Sequence, residues 1–252
     1  MRVHAIMEKG IGKSSIEDRV LIDNTILAGG EYDIKIETDK PFIIAVADGV
    51  GGNGAGDVAA HLALDGLVAT NLSGDISEES IRARVAQINQ KIVEQSRYES
   101  RYARMATTLS GVCFAESKAI LFHVGNCRIF TWSEPYLNQL TQDHSWANEM
   151  RQIGLSEEDI EKSGRSSEIN ACLGNGDVSY ARAIEIMDVS NEINNSSKII
   201  ITSDGVHDFV TTRGIENGLR SMDHEQTFMR ECLNYSREQG STDDLSLVYI
   251  SL

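Results

Sequence analysis

Six apolar residues in a row, Phe42 to Ala47, interrupt a polar stretch and stop at Asp48. The run is brief, partly β-branched and followed at once by turn residues, which predicts a buried strand. Gly49, Gly51, Gly52, Gly54 and Gly56 then let the backbone turn sharply and come close to a ligand. Beyond them Ala59, Leu62, Ala63, Gly66 and Leu67 recur at helical spacing, predicting a helix to about Leu72. Ser77 is a suitable N-cap for a second helix with Ile81, Val85, Ile88 and Ile92 on one face. Joined by a short turn, the two helices are expected to lie antiparallel and to cover one side of a sheet.

The same patterning extends along the chain. Val3 to Met7 reads as a first strand, and Val20 to Leu27 as another apolar stretch. Ala28 to Lys40 is polar with a Gly29-Gly30 turn, which predicts a hairpin leading into the Phe42–Ala47 strand. Thr107 to Ala115 and Ala119 to Phe130 read as two strands around a turn at Glu116-Ser117-Lys118. Asp143 to Ile153 and Ser156 to Lys162 read as short helices in a polar excursion, a flap over the surface. Lys198 to Thr202 is a further strand, ending in Ser203-Asp204-Gly205. Phe228, Cys232 and Tyr235 mark a late helix, and Leu245 to Ile250 a closing strand preceded by Gly240-Ser241-Thr242-Asp243-Asp244.

Composition narrows the function classes. The 252 residues contain only two prolines and no low-complexity tract, so no linker is evident and one domain over 1–252 is expected. An excess of 38 acidic over 23 basic residues gives a formal charge of −15, which repels a phosphate backbone and argues against nucleic acid or an anionic membrane. A phosphorylated substrate would need that field reversed locally, as bound divalent cations would do. Cys113, Cys127, Cys172 and Cys232 are scattered without a C-x-x-C pair, so they read as buried reduced thiols. The opening residues lack an apolar signal core, and no run is long enough to span a bilayer, which predicts a cytoplasmic protein.

Two nucleotide motifs fail on context. Gly49, Gly51 and Gly54 satisfy G-x-G-x-x-G, but Asp48 puts a negative charge where a pyrophosphate would lie, and the next periodic segment is helical where a second strand is required. Gly12-Lys13-Ser14 ends like a phosphate-binding P-loop, but Met7 stands where that loop needs glycine. More telling are acids at strand ends beside small residues: Asp48, Asp204 and Asp243. Taken singly, each is an ordinary turn residue. Together they offer hard oxygen ligands on rigid supports, which suits Mg²⁺ or Mn²⁺ better than zinc and suits a two-ion centre for phosphoryl displacement.

These segments resemble, in order, the motifs of the metal-dependent serine/threonine phosphatases of the PP2C (PPM) family, bacterial type. Lys13 to Asp18 resembles Arg-x-x-Asn/Met-Glu-Asp, Asp48 to Asn53 resembles Asp-Gly-x-Gly-Gly-His, and Ala106-Thr107-Thr108 resembles Gly-Thr-Thr. Val124 to Arg128 resembles Val-Gly-Asp-Ser-Arg, and Leu140 to Ser145 resembles Leu-Thr-x-Asp-His-Ser. Ser203 to Asp208 resembles Ser-Asp-Gly-x-x-Asp, and Gly240 to Asp244 resembles Gly-Ser-x-Asp-Asn. The resemblance implies an α+β fold, a four-layer αββα sandwich of two antiparallel sheets flanked by helices, with a flap at about 143–174. It implies two Mn²⁺ or Mg²⁺ ions, Asp48 bridging both, the Gly49 carbonyl binding one, and Asp204 and Asp243 binding the other. Glu17 and Asp18 would orient water around the ions, and Lys13 would hold substrate phosphate. The implied partner is a phosphorylated protein, opposing a serine/threonine kinase, with the phosphatase a monomer.

Three substitutions depart from the pattern. Lys13 replaces an arginine, losing the two-pronged grip on phosphate but keeping the charge. Asn53 replaces the histidine proposed as general acid, and an amide cannot donate a proton to a leaving alkoxide; His61, His144 or a metal-bound water are the candidates to substitute, though each histidine reads first as a surface or packing residue. Asn126 replaces an aspartate that helps hold a third metal in bacterial relatives, so a weak or empty third position is expected. These changes define the alternative, a catalytically weak or inactive pseudophosphatase that binds phosphoproteins. Retention of Asp18, Asp48, Asp204 and Asp243, which repel one another without metal, favours the enzyme.

Overall fold

The structure, a computed structural model, describes residues 1–50, 55–68, 76–116, 118–174, 184–222 and 224–252. One six-stranded sheet runs in the order β11 (Tyr136–Gln139), β10 (Arg128–Ser133), β14 (Lys198–Thr202), β15 (Leu245–Ser251), β1 (Arg2–Glu8) and β4 (Gly30–Lys35). The other runs β13 (Glu185–Asp188), β9 (Lys118–Val124), β8 (Leu109–Ala115), β5 (Phe42–Ala47), β2 (Arg19–Ile22) and β3 (Thr25–Leu27). Neighbouring strands pair antiparallel in both. A small third sheet joins β12 (Leu173–Gly174), β7 (Ala106–Thr107) and β6 (Gly49–Val50).

Side-chain alternation assigns the layers. In β5, Phe42, Ile44 and Val46 enter a core shared with Val3, Ala5, Ile199, Ile201, Val248 and Ile250 of the facing sheet. Ile43, Ala45 and Ala47 point the other way, into a core completed by α1 (Gly56–Val68) and α2 (Glu78–Gln95). A third core packs Ile200, Leu247 and Tyr249 against α6 (Asp204–His207), α7 (Thr212–Ser221) and α8 (Glu225–Glu238). The result is helices, sheet, sheet, helices, the four layers expected. Because β5 is covered on both faces, all six of its residues are apolar and buried. The expected N-cap Ser77 forms a reciprocal capping box with Ser80.

The excursion forms α3 (Trp146–Gln152) and α4 (Glu157–Lys162), each started by a serine cap, Ser145 and Ser156. A short α5 (Ser190–Asn194) lies between β13 and β14. Three sequence expectations need correction. Ala119 to Phe130 is two strands in different sheets, because Gly125 takes φ +114°, where L side chains rarely go, and turns the chain across the sandwich. The Gly29-Gly30 segment leads into β4, which pairs with β1 and not with β5, since its partly polar residues suit an edge. Tyr235 of α8 is 48% exposed; Phe228, Met229, Cys232 and Leu233 form the buried face instead. The described part of the helix expected to reach Leu72 ends at Val68, and 69–75 lie outside the described residues.

Candidate metal centre

Strand register gathers the predicted acids at one end of the sandwich. Arg19 of β2 pairs with Ala47 of β5, so the residues flanking them, Asp18 and Asp48, lie side by side. Thr202 pairs with Leu247, which sets Asp204 beside the Asp243-Asp244 approach to β15. Arg128 pairs with Thr202, which brings Asn126 to the same place. The opposite end of the strands holds a cavity of about 680 Å³ lined in part by Met1, Lys40, Phe42, Phe114, Lys118 and Leu252, remote from these acids.

Local hydrogen bonds fix each carboxylate. The Thr108 N–H (2.8 Å) and Thr107 hydroxyl (2.9 Å) donate to the Asp48 carbonyl, while the Asp48 N–H donates to Thr108 Oγ1 (3.0 Å). The Ala106-Thr107-Thr108 motif is thus a clamp on the Asp48 backbone. Next to it, a Cβ on Gly49 would lie 2.3 Å from the Gly56 carbonyl carbon and 2.8 Å from the Glu17 carbonyl oxygen, so only glycine fits. Ser203 exchanges hydrogen bonds with Ser246, N–H to carbonyl and N–H to hydroxyl, both at 3.0 Å, which anchors the start of Asp204. The Ser246 hydroxyl also donates to Asp18 Oδ2 at 2.6 Å.

Asp18 and Asp48 are buried beside a half-buried Asp204, and the Asp243 side chain is 47% exposed. Burial raises the Asp48 carboxyl well above the usual range, and the charges of Asp18, Asp204 and Asp243 raise it further. Burial likewise lifts Asp18 to about 7, outweighing the Ser246 hydrogen bond and adding to the repulsion of Asp244 and Asp204. Asp204 is raised by burial and then by Asp243. Asn126 Nδ2 donates to Asp204 Oδ2 at 2.8 Å. Lys13 Nζ lies 2.5 Å from Asp243 Oδ1, 3.2 Å from Asp244 Oδ2 and 3.6 Å from Glu17. Burial pulls that ammonium down, but Asp243 and Asp244 outweigh it and hold it above its ordinary value.

This donor set fits divalent cations. Asp18 Oδ1 and Asp204 Oδ1 are buried with no hydrogen-bond partner among the described residues. A buried carboxylate oxygen without a donor is costly, and hard dications are the ligands that satisfy several such oxygens at once. Glu17, raised by its own burial, accepts from the Gly56 N–H at 3.2 Å and so sits at the edge of the cluster. Asn53, predicted at the general-acid position, lies outside the described residues.

Other participants were not singled out from the sequence. Asp244 is buried and braces the 10–17 loop, accepting from the Gly10 N–H at 2.6 Å and the Glu17 N–H at 2.7 Å. Its signal was its place in Gly240 to Asp244, where the resembled motif ends in asparagine. Asp208, the last residue of the Ser203 to Asp208 motif, is raised to about 6 by burial and then by Asp204. Arg128 grips Asp143 through two nitrogens, at 2.9 and 2.6 Å, and ties the start of the flap to β10. His61 is exposed on α1. His144 accepts from the Gly125 N–H at Nδ1, with Nε2 3.5 Å from Glu185. His123, His144 and Glu185 cluster within 4.8 Å, but both His123 ring nitrogens are engaged, by Ser110 at 2.7 Å and the Gln142 carbonyl at 3.0 Å. The trio is a hydrogen-bonded brace and not a second metal site.

Residues 31–248 match the family model described as Protein phosphatase 2C. The chain is similar to the serine/threonine phosphatase stp of Listeria monocytogenes, 28% identical over 225 residues that cover 85% of this chain and 86% of the relative. Among solved structures, a bacterial serine phosphatase superposes with a TM-score of 0.81 at 20% identity, covering 99% of this chain and 96% of that one. The catalytic domain of the phosphatase PstP, solved with two manganese ions, superposes with a TM-score of 0.73 at 20% identity, covering 99% and 98%.

Proposed function

The chain belongs to the protein phosphatase 2C family, and from that premise we propose that it hydrolyses serine and threonine phosphoesters of proteins at a divalent-metal centre built on Asp48, Gly49, Asp204 and Asp243. The observation that carries this reading is the convergence of mutually repelling buried carboxylates with two oxygens left unpartnered among the described residues. Two Mn²⁺ or Mg²⁺ ions, when bound, supply the positive charge and Lewis acidity that let water attack phosphorus at neutral pH.

The chain's own residues supply the rest. Asp48, clamped by Thr107 and Thr108 at a rigid strand end, would hold the metal centre together with the Gly49 carbonyl, Asp204 and Asp243. Asp18 and Glu17 would accept hydrogen bonds from water at the site and so orient it. Lys13 neutralises the acids flanking the site and offers its ammonium to substrate phosphate as a point charge. Asn126 donates to Asp204 Oδ2, which occupies that oxygen and leaves a neutral amide where a third ion would need a carboxylate. With Asn53 unable to donate a proton, esters with poor leaving groups are slower than aryl phosphates.

The reading extends to a single domain over 1–252 with its flap at 143–174, and to a monomer that opposes a serine/threonine kinase in the cytoplasm. Among the described residues no helix is long and apolar enough to cross a membrane. Among the described residues Lys13 and Asn126 are the features that speak for the non-catalytic alternative, and the acids that would hold metal, kept together at one end of the sandwich, weigh against it. The test is Mn²⁺-dependent hydrolysis of p-nitrophenyl phosphate and a phosphothreonine peptide. We expect activity in the wild type and at least a hundredfold loss in Asp48→Asn and Asp204→Asn; metal-independent activity, or variants as active as the wild type, would overturn it.

A further inference from the structure

A short tandem repeat, Ser96-Arg97-Tyr98-Glu99 and Ser100-Arg101-Tyr102-Ala103, followed by Arg104, leads from the end of α2 into β7. In a chain of charge −15 this stretch carries three arginines against one acid. Arg101 is engaged, bound to Glu99 at 2.6 Å and stacked 4.6 Å from the Tyr102 ring centre. The guanidinium groups of Arg97 and Arg104 are exposed and have no ion-pair or hydrogen-bond partner among the described residues. Tyr98 between them is 79% exposed, the largest value among the exposed large apolar side chains.

Two further facts place and qualify the stretch. Ala106 of β7 pairs with Val50, two residues beyond Asp48, so Arg104, two residues earlier in the chain, lies at most about 7 Å from a residue laddered to the metal-site loop. Arg104 also holds φ +64°, a left-handed backbone that costs a non-glycine residue about 1 kcal/mol and that glycine would adopt freely. Two arginines without a side-chain partner among the described residues, one of them on a strained backbone two residues before the strand laddered to the metal-site loop, offer positive charge in a chain of net charge −15 and so match a negatively charged partner.

Resting on the phosphatase reading, we propose that Arg97, Tyr98 and Arg104 form a docking surface for acidic residues flanking the phosphorylated side chain of a protein substrate. The two guanidinium groups pair with Asp or Glu side chains of the incoming segment, and the Tyr98 ring covers its aliphatic parts. The surface offsets the overall negative field along the approach to the site and thereby selects acidic phosphopeptides that the chain's net charge would otherwise repel.

The test compares kcat/KM for two phosphothreonine peptides of equal length, one with flanking aspartates and one with flanking glutamines, with p-nitrophenyl phosphate as the small reference substrate. We expect the wild type with Mn²⁺ to favour the acidic peptide severalfold at low salt and to lose that preference in 0.5 M salt. The double variant Arg97→Glu/Arg104→Glu should lower the acidic-to-neutral ratio about tenfold. Arg104→Gly should keep or raise the melting temperature while still lowering the ratio, which separates docking from folding. A wild type indifferent to flanking charge, or a ratio unmoved by the double variant, would overturn the inference alone. Absence of hydrolysis of p-nitrophenyl phosphate and of both peptides would overturn the phosphatase reading and the inference with it.

Discussion

Asn126 illustrates how one atom's difference sets the charge of the whole site. As an amide it donates to Asp204 Oδ2; as an aspartate it would place another carboxylate 2.8 Å from that oxygen. Asn126→Asp is therefore expected to lower the melting temperature of the metal-free protein through added repulsion, and to increase the stabilisation by Mn²⁺, with calorimetric titration showing an additional ion. An unchanged metal-free melting temperature and unchanged stoichiometry would contradict that role. The principal acids were legible from the sequence because each ends or precedes an apolar run, which fixes its place at a strand terminus. Lys13 was legible as a cation near the site but not as one pinched between Asp243 and Asp244, because those partners lie some 230 residues away. Asp244 was passed over for the same reason: its work is to accept two backbone N–H groups of the distant 10–17 loop.

At the scale of elements, the site depends on β6 and the N-terminus of α1 meeting without a side chain between them. Gly49→Ala is expected to destabilise the fold by about 2 kcal/mol in urea unfolding, because the three nearest atoms its Cβ would strike belong to backbone and cannot rotate away. It should weaken Mn²⁺ binding in parallel by shifting the Asp48 peptide; a variant of wild-type stability would show that the close approach is not needed. Strands covered on both sides, such as β5 and β14, were readable as unbroken apolar runs, and α2 by its 3.6 period and Ser77 cap. The break between β9 and β10 was not readable, since apolar residues flank it on both sides and only the backbone angle of Gly125 changes the sheet to which the chain belongs. Pairing partners, as for β4 with β1, are likewise fixed by tertiary packing and not by a strand's own residues.

For the molecule as a whole, the four-layer architecture serves to bring chain segments from both ends of the sequence to one rim, where Asp18 and Asp48 of one sheet face Asp204 and Asp243 of the other. Holding such acids together without counter-charge opposes folding, and their titration gives that cost a direction. Asp18 titrates near 7 in the fold against 3.8 in the open chain, and Asp48 and Asp204 are raised as well. Between those two values Asp18 holds more protons in the folded state than in the unfolded, so the fold loses stability as pH rises from about 4 to about 7, and the raised Asp48 and Asp204 act in the same direction. Divalent ions bind the deprotonated carboxylates and should act in the opposite sense, stabilising more as pH rises.

Thermal unfolding from pH 4 to 8, recorded in chelator and in Mn²⁺ for the wild type and Asp48→Asn, tests that claim most directly. A caged pair of dications requires a Mn²⁺ increment in melting temperature that is small near pH 4, grows to pH 7.5, and largely disappears in Asp48→Asn. An increment that is absent, independent of pH, or undiminished in the variant would mean that these carboxylates do not hold the ions.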